Sequence, residues 1–300
     1  IGLKSISMPD SVIFIGGSAF DGCSNLNAIT LPSSMNNIAS YVFRNCKSLK
    51  SITIPNGILS IGESAFYGCI DLSNINIGCG VESIGSAAFY NCKNLKSLTI
   101  PDNILSIGDS AFRECVELTN ITIGTGVESI GDAAFYDCKN LKSVTIPNNV
   151  LSIGDSAFYG CIELTNITIG NGVKSIGINT FYNCENLTSI IIPDNVTSIG
   201  TSAFGGCYKL KTIVVSSGLN TIGRYAFHGC DELETLLYVG TSEQWDEISI
   251  DIYNEMFVNA IRYYYSESEP ALNSNGTAYD GNYWHYDTDG ITPKIWNKGV

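Results

Sequence analysis

Apolar residues recur along this chain every 23 positions. Cys falls at 23, 46, 69, 92, 115, 138, 161, 184, 207 and 230, and Phe stands three residues before each of them, from Phe20 to Phe227. Leu repeats from Leu3 to Leu233 and Ile from Ile15 to Ile222 in the same way. Ten units without an insertion predict a solenoid, because each unit buries its apolar face only against its neighbours. In Ser51-Ile52-Thr53-Ile54 apolar and polar residues alternate, which predicts a strand with one buried face. Pro55 or its equivalent Gly78 ends the strand. Ile58 and Ile61 are expected inside on the return path, with a tight bend at Gly62. Glu63 to Tyr67 is expected to form about one helical turn, closed by a left-handed residue at Gly68. That last position is Gly, Asn or Asp in the other units, except Glu114. Stacking in register sets like strands ~4.8 Å apart in one long parallel sheet.

A 46-residue period overlies the first. The residue after the strand alternates through Pro55, Gly78, Pro101, Gly124, Pro147, Gly170 and Pro193, as tandem duplication of a two-unit cassette would produce.

The period fails after Tyr238, so residues 1–238 read as the solenoid, 239–265 as a C-terminal capping segment, and 266–300 as a linker with an aromatic-rich hairpin. Ser242 is expected to cap a short helix bearing Trp245 and Ile248. These two, with Met256 and Phe257, are the residues expected to cover the open end of the core. Residues 260–265 read as a last strand. Tyr283, Trp284, Tyr286 and Trp296 flank a D-G turn, a hairpin signal.

The unit resembles the BspA-like, or Treponema-type, leucine-rich repeat. The carrying residues are Leu49, Ile52, Ile54, Pro55, Ile58, Ile61, Gly62, Ala65, Phe66 and Cys69, with their equivalents along residues 1 to about 238. The resemblance implies a right-handed leucine-rich repeat solenoid of 23-residue coils with a long parallel sheet and short helical turns. It also implies a bacterial protein that is secreted or attached to the cell surface, and adhesion to host matrix proteins as one role within the family.

Charge narrows the partners. Sixteen Lys and Arg against 29 Asp and Glu give a formal charge of −13, which opposes binding to nucleic acid. No apolar run approaches the ~20 residues of a membrane-spanning helix. The chain opens at Ile1 inside a pattern already under way, so it is expected to be a fragment or a mature chain.

Candidate chemistry is sparse. The Cys column lacks the short C-x-x-C spacing of metal sites, and stacked side chains suit the disulfide torsion poorly, so buried free thiols are expected. Cys79 is expected to lie exposed in a turn. Asp109, Asp132 and Asp155 align on consecutive coils, but one carboxylate per coil is too few for Ca²⁺, and capping of their own turns is expected. No enzyme motif is present, and no metal or cofactor is expected.

The remaining reading is an interaction module, monomeric, with a protein partner. Its candidate contacts are the surface column Tyr67, Tyr90, Tyr136, Tyr159 and Tyr182, together with Ile191, Val214 and Leu237, which replace Thr on the outward face of the sheet. The C-terminal tail is expected to fold over those three. Two alternatives remain: a spacer displaying another domain, and a glycan-binding protein using tail aromatics such as Trp284.

Overall fold

The computed structural model describes residues 2–297. One strand per coil, from Ser5–Ser7 to Thr235–Tyr238, lies parallel to the next with like residues side by side, as in Ile52 beside Ile75 and Thr53 beside Asn76. The expected parallel solenoid is therefore present. Its sheet is not evenly paired. Pairing is complete between Ser51–Ile54 and Asn74–Ile77, between Ser97–Thr99 and Asn120–Thr122, and between Ser143–Thr145 and Asn166–Thr168. Between these pairs of coils the ladder breaks, or narrows to the single pair Asn120 and Ser143.

From Pro55 to Pro193 the breaks coincide with proline, although Pro32 at the same place does not interrupt the pairing of Ala28–Thr30 with Ser5–Ser7. At this column Val239 donates its N–H to the Val215 carbonyl of the preceding coil at 2.9 Å. Pro55, Pro101, Pro147 and Pro193 occupy the equivalent place in every second coil and have no N–H to give. The alternate glycines serve close approach. A Cβ on Gly124 would lie 2.4 Å from the Pro101 carbonyl oxygen, and one on Gly126 would lie 1.9 Å from that of Asp102. The 46-residue period is thus built into the interfaces between coils. A second, narrower parallel sheet lines the return path, in two-residue strands such as Ser60–Ile61 and Ser83–Ile84.

The segment expected to be a helical turn is a run of linked turns instead. Ala65, Tyr67 and Cys69 donate backward to the carbonyls of Gly62, Ser64 and Phe66, while Ser64, Phe66 and Gly68 donate forward to Ser86, Ala88 and Tyr90 of the next coil. The alternation requires two left-handed residues per coil. One is the expected column, at φ +68° in Gly68 and +60° even in Glu114. The other holds Ser64, Ala87, Ser110, Ala133 and Ser156 at φ +51° to +58°. Half of the backbone thereby bonds between coils, which a helical turn could not do.

The core is a set of stacked columns. Phe20 to Phe227 stack ring on ring at 5.1–5.6 Å. From Cys46 onward each buried thiol donates to the Phe carbonyl of the preceding coil at 3.2–3.4 Å, as Cys69 does to Phe43. All eleven cysteines are free, and Cys23, in the first coil, is half-buried. Burial drives the thiols up, Cys115 and Cys230 to about 12.

The C-terminal end closes in kind. Phe257 stacks on Phe227 at 4.5 Å, and Trp245 stacks on Phe257 at 5.5 Å. Ile248 is buried beside them, but Met256 points outward, 42% exposed. The helix Ser242–Asp246 is capped by Thr241 rather than Ser242, in a reciprocal box with Gln244. Buried Asn254 replaces the missing next coil: its Oδ1 accepts from Phe227 N at 3.1 Å, and its Nδ2 donates to the Gly223 and Asp251 carbonyls. Strand Ile261–Tyr265 extends the sheet, followed in parallel by Tyr283–Tyr286 and then antiparallel by Pro293–Ile295 around the Asp289-Gly290 turn.

Candidate functional site

The tail reaches the apolar end of the sheet face and covers part of it. Trp284, fully buried, packs against Val214 and Leu237, and its Nε1 donates to the Tyr238 carbonyl at 3.0 Å. These three side chains seal one another and present no surface to a partner. Ile191, one coil further from the tail, stays 42% exposed, with Ile291 of the tail turn at the edge of the same cleft.

The tyrosine column forms a half-buried stack. Tyr67 lies on Tyr90 at 4.8 Å, Tyr136 on Tyr159 at 4.5 Å, and Tyr159 on Tyr182 at 5.1 Å. Arg113 joins the two groups, its guanidinium 4.1 Å from the Tyr136 ring centre. Gly205 ends the stack, because the Tyr182 ring lies where a Cβ would stand. Burial and the Glu114 carboxylate, which accepts from the Tyr90 hydroxyl at 2.9 Å, push that phenol up. The rings spend their faces on each other, so the column offers edges rather than open faces.

Asp109, Asp132 and Asp155 do not cap their own turns. Each Oδ1 accepts a backbone N–H of the next coil, from Asp132, Asp155 and Ile178 at 2.7–2.9 Å. They are a ladder between coils. Among the described residues no group of three or more His, Cys, Asp or Glu side chains is placed to hold a metal ion. Cys79 is exposed between Gly78 and Gly80.

A further surface column carries no mark in the 23-residue pattern. Ile13, Leu59, Leu105 and Leu151 occupy one column in alternate coils, 68%, 51%, 48% and 55% exposed. Asn36, Glu82, Glu128 and Lys174 fill the coils between. Backbone bonds along this column run unbroken from Asn36 to Leu151, as in Glu82 N to the Leu59 carbonyl at 2.8 Å, so the ridge sits on rigid backbone. Two-coil spacing by the strand distance is about 9–10 Å. No core requirement puts leucine outside at a regular interval.

These features define a leucine-rich repeat scaffold with a closed C-terminal end. A profile of the BspA type leucine rich repeat region matches residues 2–118 and 105–234, with six copies in all, and the chain belongs to that family. The chain is similar in structure to a leucine-rich repeat protein from Bacteroides ovatus, at 33% identity and a TM-score of 0.70, over 78% of this chain and 63% of that one. It thus spans less than two thirds of that relative. It also resembles the pneumococcal vaccine antigen PcpA in fold, at 22% identity and a TM-score of 0.53, over 88% of this chain and 74% of the other. A leucine rich cell surface protein from Faecalibacterium prausnitzii matches at 29% identity with a TM-score of 0.48, over 83% of this chain and 82% of that one. No curated protein matches the chain. Solenoids of this family are in general interaction scaffolds rather than enzymes. Among the described residues no helix is long and apolar enough to cross a membrane.

Proposed function

We propose that this chain is a non-catalytic interaction module that works outside the cell, as a monomer, and holds a protein partner on its leucine ridge. The observation that carries the reading is the regular exposure of Ile13, Leu59, Leu105 and Leu151 with Glu82 and Glu128 between them. Contiguous exposed apolar surface marks interaction sites, and we read this regularly spaced ridge in the same way. The matching partner presents apolar side chains about 9–10 Å apart, flanked by Lys or Arg that meet the intervening glutamates. Ile191 and the edges of Tyr67, Tyr90, Tyr136, Tyr159 and Tyr182 are further exposed or half-buried contacts. Val214, Leu237 and Trp284 are left out because they are buried. Extracellular placement rests on the family, and adhesion to a host matrix or cell-surface protein is the role we assign.

The test compares the wild-type chain with a Leu59→Ser/Leu105→Ser/Leu151→Ser variant on immobilised host matrix and cell-surface proteins. Saturable binding that weakens at least about tenfold in the variant, equivalent to ~1.4 kcal/mol, supports the ridge. Equal binding by both proteins refutes it.

A further inference from the structure

We propose that the C-terminal hairpin carries a second, independent site: a shallow pocket for a neutral sugar ring, walled by Tyr263, Tyr279, Tyr283 and Trp296. The buried Trp284 takes no part, so this site is distinct from any that would rest on that residue.

The pocket is built on paired backbone. Trp284 and Ile295 are antiparallel partners, Tyr264 N donates to the Asn282 carbonyl at 2.9 Å, and Trp296 N donates to the Tyr283 carbonyl at 3.0 Å. The Trp296 indole is locked from both sides. Its Nε1 donates to the Ser266 carbonyl at 3.0 Å, and the His285 ring lies against it at 4.1 Å. Tyr279 meets Trp296 at a steep angle, 74° with centres 6.5 Å apart, so the two rings form a corner rather than a closed stack. Tyr279 is fixed in turn by its hydroxyl, which donates to Glu269 at 2.9 Å. A site held this firmly before binding loses little ordering entropy when occupied.

The chemistry of the lining selects the ligand. Aromatic walls suit the C–H face of a pyranose, and the rim must then supply groups that pair with hydroxyls. Asn282 and Asn297 line the pocket with their side-chain amides. Each offers both a donor and an acceptor, which is what a vicinal diol needs. The lining has no Lys, Arg or His, while Glu269 and Asp280 stand close by. Uronic and sialic acids are therefore disfavoured, and a neutral hexose or N-acetylhexosamine is the class that fits. An alkylammonium would gain from the aromatic corner but would leave both amides unused.

The test uses the full chain on an array of neutral and acidic oligosaccharides, followed by calorimetry on the best neutral binder. The variants are Tyr279→Ala and Asn282→Ala, with Lys93→Ala on an exposed position far from the hairpin as a remote control, each checked for an unchanged melting temperature. Asn282 is exposed, so its variant keeps the test valid even where the Tyr279 variant unfolds the hairpin. Expected are retention of neutral glycans over acidic ones, at least about tenfold weaker binding in both variants, and no change in the control. The proposal is overturned if the array retains no neutral glycan, if acidic glycans bind equally, if choline displaces the bound sugar, or if the folded variants bind like wild type.

Discussion

The second left-handed column makes an opposite-sign prediction for two adjacent alanines. Ala133 sits at φ +52°, and its N–H donates to the Asp155 carbonyl at 2.8 Å, so the conformation is fixed by the next coil. An L-residue held there costs roughly 1–2 kcal/mol, whereas glycine adopts it freely. Glycine also gives the unfolded chain more freedom, which costs about 0.5–1 kcal/mol. The balance for Ala133→Gly is a gain of about 0–1.5 kcal/mol, against a clear loss at its neighbour. Ala134 is fully buried and has no positive φ. Ala134→Gly loses a buried methyl, about 0.8 kcal/mol before any cavity cost, and adds the same entropy penalty, so a loss of about 1.5–2 kcal/mol is expected. Urea midpoints of single variants measure both. Ala87, at φ +53° two coils away, provides a repeat, and Ala87→Gly with Ala133→Gly should add to within about 0.5 kcal/mol. Destabilisation by Ala133→Gly as large as that by Ala134→Gly would refute the account of strain.

Two further outcomes concern the core and its cap. The buried thiols have folded-state pKa values above 9.0, up to about 12 for Cys46, Cys115 and Cys230, so the unfolded chain releases these protons first. Their contribution is fully present below pH 9.0 and is lost as pH rises toward about 12, and the urea midpoint should fall across that window; a flat profile would contradict their burial. In the same series a native thiol titration at pH 8 should label Cys79 first, Cys23 more slowly, and the others only on unfolding. Asn254→Ala leaves the Phe227 N–H without its acceptor, which should cost about 1–3 kcal/mol and abolish slow hydrogen exchange at that amide; retained protection there would show that Asn254 does not close the coil.

The columns that never vary were readable in the sequence, because burial admits few residue types. Phe, Cys, Leu and the inner Ile each sit where a change of one methylene is felt by rigid neighbours. The Gly68 column was readable because Gly, Asn and Asp announce a positive φ, and it extends to Glu114 at +60°. Ser64, Ala87 and Ala133 carry no such mark. They hold the same φ range because alternate N–H groups must turn toward the next coil, a demand imposed by the neighbour rather than by local preference. That is also why the expected helical turn did not form. Asn254 was hidden for a related reason: its role is to imitate the backbone of a coil that is not there. The apolar replacements at Ile191, Val214 and Leu237 correctly signalled a cover, yet a single indole reaches only two adjacent coils, so Ile191 remains open.

The 46-residue period links fold and surface. A single coil could build the core, since Phe, Cys and Leu recur every 23 residues. The interfaces need two, because a proline that withholds its N–H is answered by a glycine that permits close approach. Once coils differ in alternation, any outward position can differ in the same alternation without disturbing the core. The leucine ridge uses that freedom: Leu59, Leu105 and Leu151 share the coils of Pro55, Pro101 and Pro147, while Glu82 and Glu128 share those of Gly78 and Gly124. A uniform 23-residue repeat would place Leu beside Leu every ~4.8 Å and create a continuous apolar stripe, an aggregation hazard. Spacing the leucines by two coils and setting glutamate between them keeps each apolar side chain available to a matched partner while charge repels a second copy of the same face.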